Sequence, residues 1–83
     1  MSMQITVQLH GVLQREAGTA QILLELPQHT HVGEALSQLE SLSPDIAHRL
    51  PRCACAIGDR VVHASNLLHE GDVLAILPPI SGG

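Results

Sequence analysis

The residues of this chain best able to do chemistry are its last two, Gly82-Gly83, because a C-terminal glycine offers a carboxylate that a partner enzyme can reach and activate. They follow Pro78-Pro79-Ile80-Ser81. Neither proline can donate a ladder hydrogen bond and both hold the backbone extended, so the tail leaves the body of the protein stiffly. From Pro78 to Gly83 its reach is at most about 20 Å, at roughly 3.3–3.6 Å per extended residue. Glycine lets a backbone pass through a channel too narrow for any Cβ. A bare diglycine is more often a frayed end, so its meaning depends on what precedes it.

Other candidate chemistry is weaker. Of the six histidines (His10, His29, His31, His48, His63 and His69), only His29 and His31 are close in sequence. No Cys-His spacing of a zinc site accompanies them, so no metal is expected. Cys53 and Cys55 are two apart in an apolar stretch that reads as a strand, which points them to one face. Same-face neighbours lie about 7 Å apart, too far for a disulfide. Both are expected to be buried and unreactive, since a reactive thiolate needs an electropositive, partly open setting. Arg15, Arg49, Arg52 and Arg60 read as solvated surface groups by default. No Ser-His-Asp arrangement or phosphate-binding glycine loop appears, so no independent enzymatic activity is expected.

The elements that must position the tail follow from periodicity. Met3, Ile5, Val7 and Leu9 alternate with polar residues, the signature of a strand with one buried face. Gly11 to Gly18 is a helical turn or loop, and a second strand runs from about Ala20 to Leu26. From Val32 the apolar positions Ala35, Leu36, Leu39 and Leu42 step by three and four, which makes one helix face. Thr30 is the better N-cap by propensity, whereas a cap at His31 would put Glu34 at the third helical position. Pro44 ends the helix. Pro44 to Pro51 is a connector with room for a helical turn through Ile46 and Leu50. Cys53, Cys55 and Ile57 form one face of a third strand, and Gly58-Asp59 turns it into a short strand from Arg60 to His63. Leu67 and Leu68 in the following loop are available to cover the core.

The last strand, Val73 to Leu77, is continuously apolar. If it inserts beside the first strand in the middle of the sheet, the helix covers it on one side, which explains the unbroken apolar run. The other side of the sheet would then also carry apolar residues, a candidate partner surface. One helix across one mixed sheet of four to five strands makes an α+β domain over residues 1–79, followed by a tail at 80–83.

Composition narrows the function classes. The chain has 83 residues, a formal charge of -4 and no Phe, Tyr or Trp. It offers neither a phosphate-neutralising patch nor a stacking platform, so no nucleic-acid partner is expected. Its apolar runs are too short to span a bilayer and no signal segment opens it, which predicts no membrane and a cytoplasmic location. All four basic residues are Arg. Without lysine, and apart from its N-terminus, the chain offers no amine for lysine-linked chains of itself.

Leu77-Pro78-Pro79-Ile80-Ser81-Gly82-Gly83, with the Gly71-Asp72 turn and the apolar strand, closely resembles the end of the molybdopterin synthase small subunits, a family of ubiquitin-like sulfur carriers. Weaker matches extend over most of the chain: Leu13-Gln14-Arg15-Glu16-Ala17-Gly18, the helix after Thr30, and Cys55-Ala56-Ile57-Gly58. The resemblance implies a β-grasp fold, in agreement with the element order. It also implies that an adenylating, E1-like enzyme joins AMP to the Gly83 carboxylate, and that a sulfurtransferase supplies the sulfur that displaces AMP. The resulting thiocarboxylate would donate sulfur to a pterin precursor, building the dithiolene that later holds molybdenum or tungsten. On this resemblance no cofactor is bound, and the adenylate and thiocarboxylate are covalent intermediates. Pro78, Pro79, Ile80, Ser81 and Gly82 would seat the tail in a large subunit, within a heterotetramer of two small and two large chains. Family members often carry an aromatic near Ile76. With none here, contact surfaces rely on aliphatic packing. A carrier for thiamine, cysteine or another thio-metabolite, or a ubiquitin-type protein modifier, would activate the same carboxylate.

Overall fold

A computed structural model describes residues 1–79; Ile80, Ser81, Gly82 and Gly83 lie outside the described residues. Strand β1 (Ser2–Leu9) leads through a short helix α1 (Val12–Ala17) to β2 (Gln21–Pro27), and the main helix α2 (Val32–Leu42) follows. A one-turn helix α3 (Pro44–Ala47) and a 3₁₀ turn at Leu50–Arg52 lead to β3 (Ala54–Ile57), β4 (Arg60–Val62) and β5 (Val73–Leu77). The five strands form one mixed sheet in the order β2-β1-β5-β3-β4. β5 runs parallel to β1, with Val7 opposite Leu74, and antiparallel to β3, with Cys55 opposite Ile76. The last strand lies in the middle, and the arrangement is the β-grasp that the resemblance implies.

Burial explains the order. Met3, Ile5, Val7 and Leu9 all point inward from β1, as do Leu24 and Leu26 from β2 and Leu74 and Ile76 from β5. α2 lays Val32, Ala35 and Leu39 over them, and Leu13, Ile46, Leu50 and Leu68 close the margins. Leu42 is not part of that face: it is 57% exposed, because the helix ends there and Ile46 and Leu50 fill the adjoining core. Leu67 is likewise exposed while Leu68 is buried, since neighbours in extended chain point opposite ways. The β3–β4 turn depends on Gly58, whose φ is +64° at the first central position of a two-residue hairpin loop.

His31, not Thr30, caps α2. The Thr30 hydroxyl is turned away and donates to the Pro27 carbonyl at 2.6 Å, closing the turn that holds His29 at φ 68°. The Glu34 carboxylate then accepts the His31 backbone N–H at 2.9 Å, with the His31 ring Nδ1 3.1 Å away. Loop carbonyls take the next free amides: Val32 N–H donates to Asn66 O at 2.9 Å and Gly33 N–H to Ala64 O at 3.0 Å. The 64–68 loop therefore anchors the helix start as well as covering the core.

The backbone and ring hydrogen bonds from His31 hold the Glu34 carboxyl below its ordinary value. A carboxylate depressed in the folded state stabilises the fold above its unfolded value, near 4.3, and loses that contribution as pH falls through the folded value. Glu34→Ala is therefore expected to lower the melting temperature at pH 7. The gap from wild type should close progressively below about pH 4. Equal gaps at pH 7 and pH 3 in thermal melts would show that the ionised carboxylate is not what caps the helix.

Candidate functional site

β5 is the element that delivers the tail. Its last pairing sets Leu77 opposite Ala54 of β3, and Pro78-Pro79 then leave the sheet. Of the residues expected to work in the tail, Pro78 is half-buried and Pro79 exposed. Ile80, Ser81, Gly82 and Gly83 lie outside the described residues.

Pro78 rests on the corner between β1 and α1. Gly11 there has φ +58°, and a Cβ on it would come within 3.4 Å of the Pro78 ring. Pro78 and Pro79 form one wall of a groove of about 620 Å³, with Val12, His48, Arg49 and Arg52 completing it. Arg49 is held in place by Glu16 of α1, whose carboxylate accepts from Nε at 2.6 Å and from the second guanidinium nitrogen at 3.1 Å. That two-point contact pulls the Glu16 carboxyl below its ordinary value and raises Arg49. It also ties α1 to the connector after α3, so the tail root is framed by elements fixed to one another.

The sheet face turned away from α2 continues from the tail. Leu77 and Val73 of β5 are each 40% exposed, and Leu23 on β2 and Val61 on β4 are each 67% exposed. Thr6 lies opposite both Leu23 and Val73, and Ala56 opposite both Ala75 and Val61, so these side chains share the outer face. The expected second apolar face is present as aliphatic side chains interleaved with Thr6 and Gln8 of β1, and none of them is aromatic.

The remaining candidates lie elsewhere. Cys55 is buried in β3, but Cys53 is only half-buried, correcting the expectation that both are enclosed. It precedes β3, at the end of the 3₁₀ turn, where its thiol donates to the Arg49 carbonyl at 3.2 Å. Burial pushes both thiols up, away from the thiolate form that would attack an acyl group or bind metal. Among the described residues no group of three or more His, Cys, Asp or Glu could hold a metal ion. No helix among them is long and apolar enough to cross a membrane.

The groove escaped sequence reading. Val12, Arg52 and Pro78 are far apart in the chain, and no spacing relates them before β5 is placed beside β1.

Residues 7–83 match the model of the ThiS family. A molybdopterin synthase sulfur carrier subunit of Aspergillus niger is 30% identical to this chain, with all of both chains aligned. Among solved structures, SAMP1 from Haloferax volcanii superposes with a TM-score of 0.88 at 23% identity, covering 96% of this chain and 99% of that one. The protein-protein complex of subunits 1 and 2 of molybdopterin-converting factor from Helicobacter pylori contains a chain that superposes at 0.68 with 22% identity. That match covers 98% of this chain and 100% of the other.

Proposed function

Because this chain belongs to the ThiS family, we propose that it is the sulfur carrier subunit of a molybdopterin synthase, with the Gly83 carboxylate as its working group. The observation that carries the reading is how the tail is mounted. A central strand, paired with β1 on one side and β3 on the other, passes directly into Pro78-Pro79, ahead of residues 80–83. A partner can therefore take in the terminus without disturbing the core.

An unactivated carboxylate resists sulfur nucleophiles. In the proposed cycle an oxygen of Gly83 attacks the α-phosphorus of ATP on an E1-like adenylating enzyme, and pyrophosphate leaves. A sulfurtransferase delivers a sulfide equivalent to the acyl carbon of the mixed anhydride. The bond to AMP breaks, AMP departs, and the terminus is left as a thiocarboxylate. Bound to the large subunit, it passes its sulfur to the pterin precursor, and water attacking the acyl carbon supplies the oxygen that restores the carboxylate. The carrier contributes no catalytic side chain and no cofactor to these steps. Its part is to present one reactive atom on a narrow stalk, while Val73, Leu77 and their aliphatic neighbours supply apolar area for the large subunit.

The full-length likeness to a molybdopterin synthase sulfur carrier subunit favours this pathway over other thio-metabolites. Intact mass spectrometry tests it. After incubation with ATP, a matching adenylating enzyme and a sulfur donor, the chain should exchange one terminal oxygen for sulfur. An unchanged mass alongside a working partner would sink the carrier reading.

A further inference from the structure

The chain is acidic overall, with eight Asp and Glu against four Arg. Yet the groove at the root of its tail is lined by Arg49, Arg52 and His48, and among the described residues no carboxylate lines it. Glu16 of α1 is already engaged by Arg49. Arg52, at the end of the 3₁₀ turn, and His48, just after α3, are exposed. A chain of net charge -4 thus sets the exposed guanidinium of Arg52, with the His48 ring beside it as a hydrogen-bonding group, at the root of its tail.

The geometry points to this groove as the docking rim for an acidic lip on the adenylating enzyme, around the mouth of the channel that takes in Gly82-Gly83. This rests on the proposed carrier function and names the surface its first step uses. The adenylating partner must bring an anionic carboxylate into a site already occupied by the triphosphate of ATP. Those two groups repel, and contacts made outside that site are one source of the free energy that holds them together. Carboxylates facing Arg52 and His48 supply it beside the tail. They also steer an otherwise acidic molecule in with its tail leading. Val12 and the two proline rings give the groove a rigid apolar floor, against which a guanidinium-carboxylate pair is better shielded from water than on open surface.

Arg52 is the residue to change, since Arg49 also holds Glu16 and its loss would loosen α1. With the full chain and its adenylating enzyme, ATP–pyrophosphate exchange gives KM and kcat for the carrier. Arg52→Glu is expected to raise KM roughly tenfold with kcat little altered, the mark of a rim charge that acts on association. Arg52→Lys should stay near wild type. Added salt should raise the wild-type KM by screening attraction and lower that of Arg52→Glu by screening repulsion. His48→Glu should shift KM in the same direction as Arg52→Glu. An Arg52→Glu KM within about twofold of wild type, with unchanged salt dependence and an unchanged melting temperature, would overturn the docking rim but leave the carrier function standing. Absence of exchange with the wild-type chain and a competent enzyme would instead remove the carrier reading, and this inference with it.

Discussion

Deleting Gly83 is expected to abolish thiocarboxylate formation and to leave the melting temperature where it is in the full chain. Among the described residues the core closes before the tail. Ile76 is the last buried side chain among the described residues, and Leu77 makes the final sheet pairing, opposite Ala54. Changes away from the core ordinarily stay within about 0.5 kcal/mol, and that is the size expected for this deletion. The chemistry, in contrast, has no substitute. Truncation moves the carboxylate to Gly82 and shortens the reach by roughly 3.3–3.6 Å. In a site where reacting atoms must approach within about 3–3.5 Å, a displacement of that size removes the productive geometry outright. A C-terminal tag should give the same loss by converting the carboxylate to an amide. Mass spectrometry after adenylation and sulfur transfer reads the first effect, and a thermal melt the second. Sulfur uptake by the truncated chain at the wild-type rate would place the reactive group elsewhere.

This separation of stable body from reactive end is why so much could be read from sequence. Alternation in β1 and the three-four spacing of α2 are burial patterns, and burial is what holds the domain together. The unbroken run Val73 to Leu77 carried more. A strand apolar on both sides fits a central position, and β5 is found between β1 and β3 with Leu74 and Ile76 inward and Val73 and Leu77 outward. What stayed hidden depended on contacts between distant segments. The choice of His31 over Thr30 as cap is decided by the Thr30 hydroxyl bonding Pro27, a turn geometry that propensity does not register. Cys53 was expected beside Cys55 on a strand face. The 3₁₀ turn delays the strand by one residue and leaves its thiol bonded to Arg49 instead. The arginine-lined groove needs three separate segments brought to the root of the tail, and surface charge has no periodicity to announce it.

Leu74→Ala should come close to unfolding the protein, whereas Val73→Ala, one residue away on the same strand, should barely affect it. Leu74 is fully enclosed, on the central strand, with Val7 opposite in β1 and Ile57 opposite in β3. Truncating an enclosed leucine loses its transfer free energy and leaves a cavity, together about 2–5 kcal/mol. Small domains hold only about 5–15 kcal/mol in total, and each kcal/mol moves the midpoint by about 4–8 °C at this size. A drop of roughly 10–30 °C is therefore expected. Val73 is 40% exposed on the outer face, so its truncation removes little buried area and should cost under about 1 kcal/mol. The pair also separates two ways of losing function. Leu74→Ala should recover sulfur acceptance on cooling, because the tail chemistry is intact whenever the fold is. Val73→Ala should keep its stability and instead weaken binding to the large subunit, if the outer face is what that partner covers. Equal melting temperatures for the two variants would mean that β5 is not the strand that holds the sheet to α2, and would remove the physical basis for treating it as the mount of the tail.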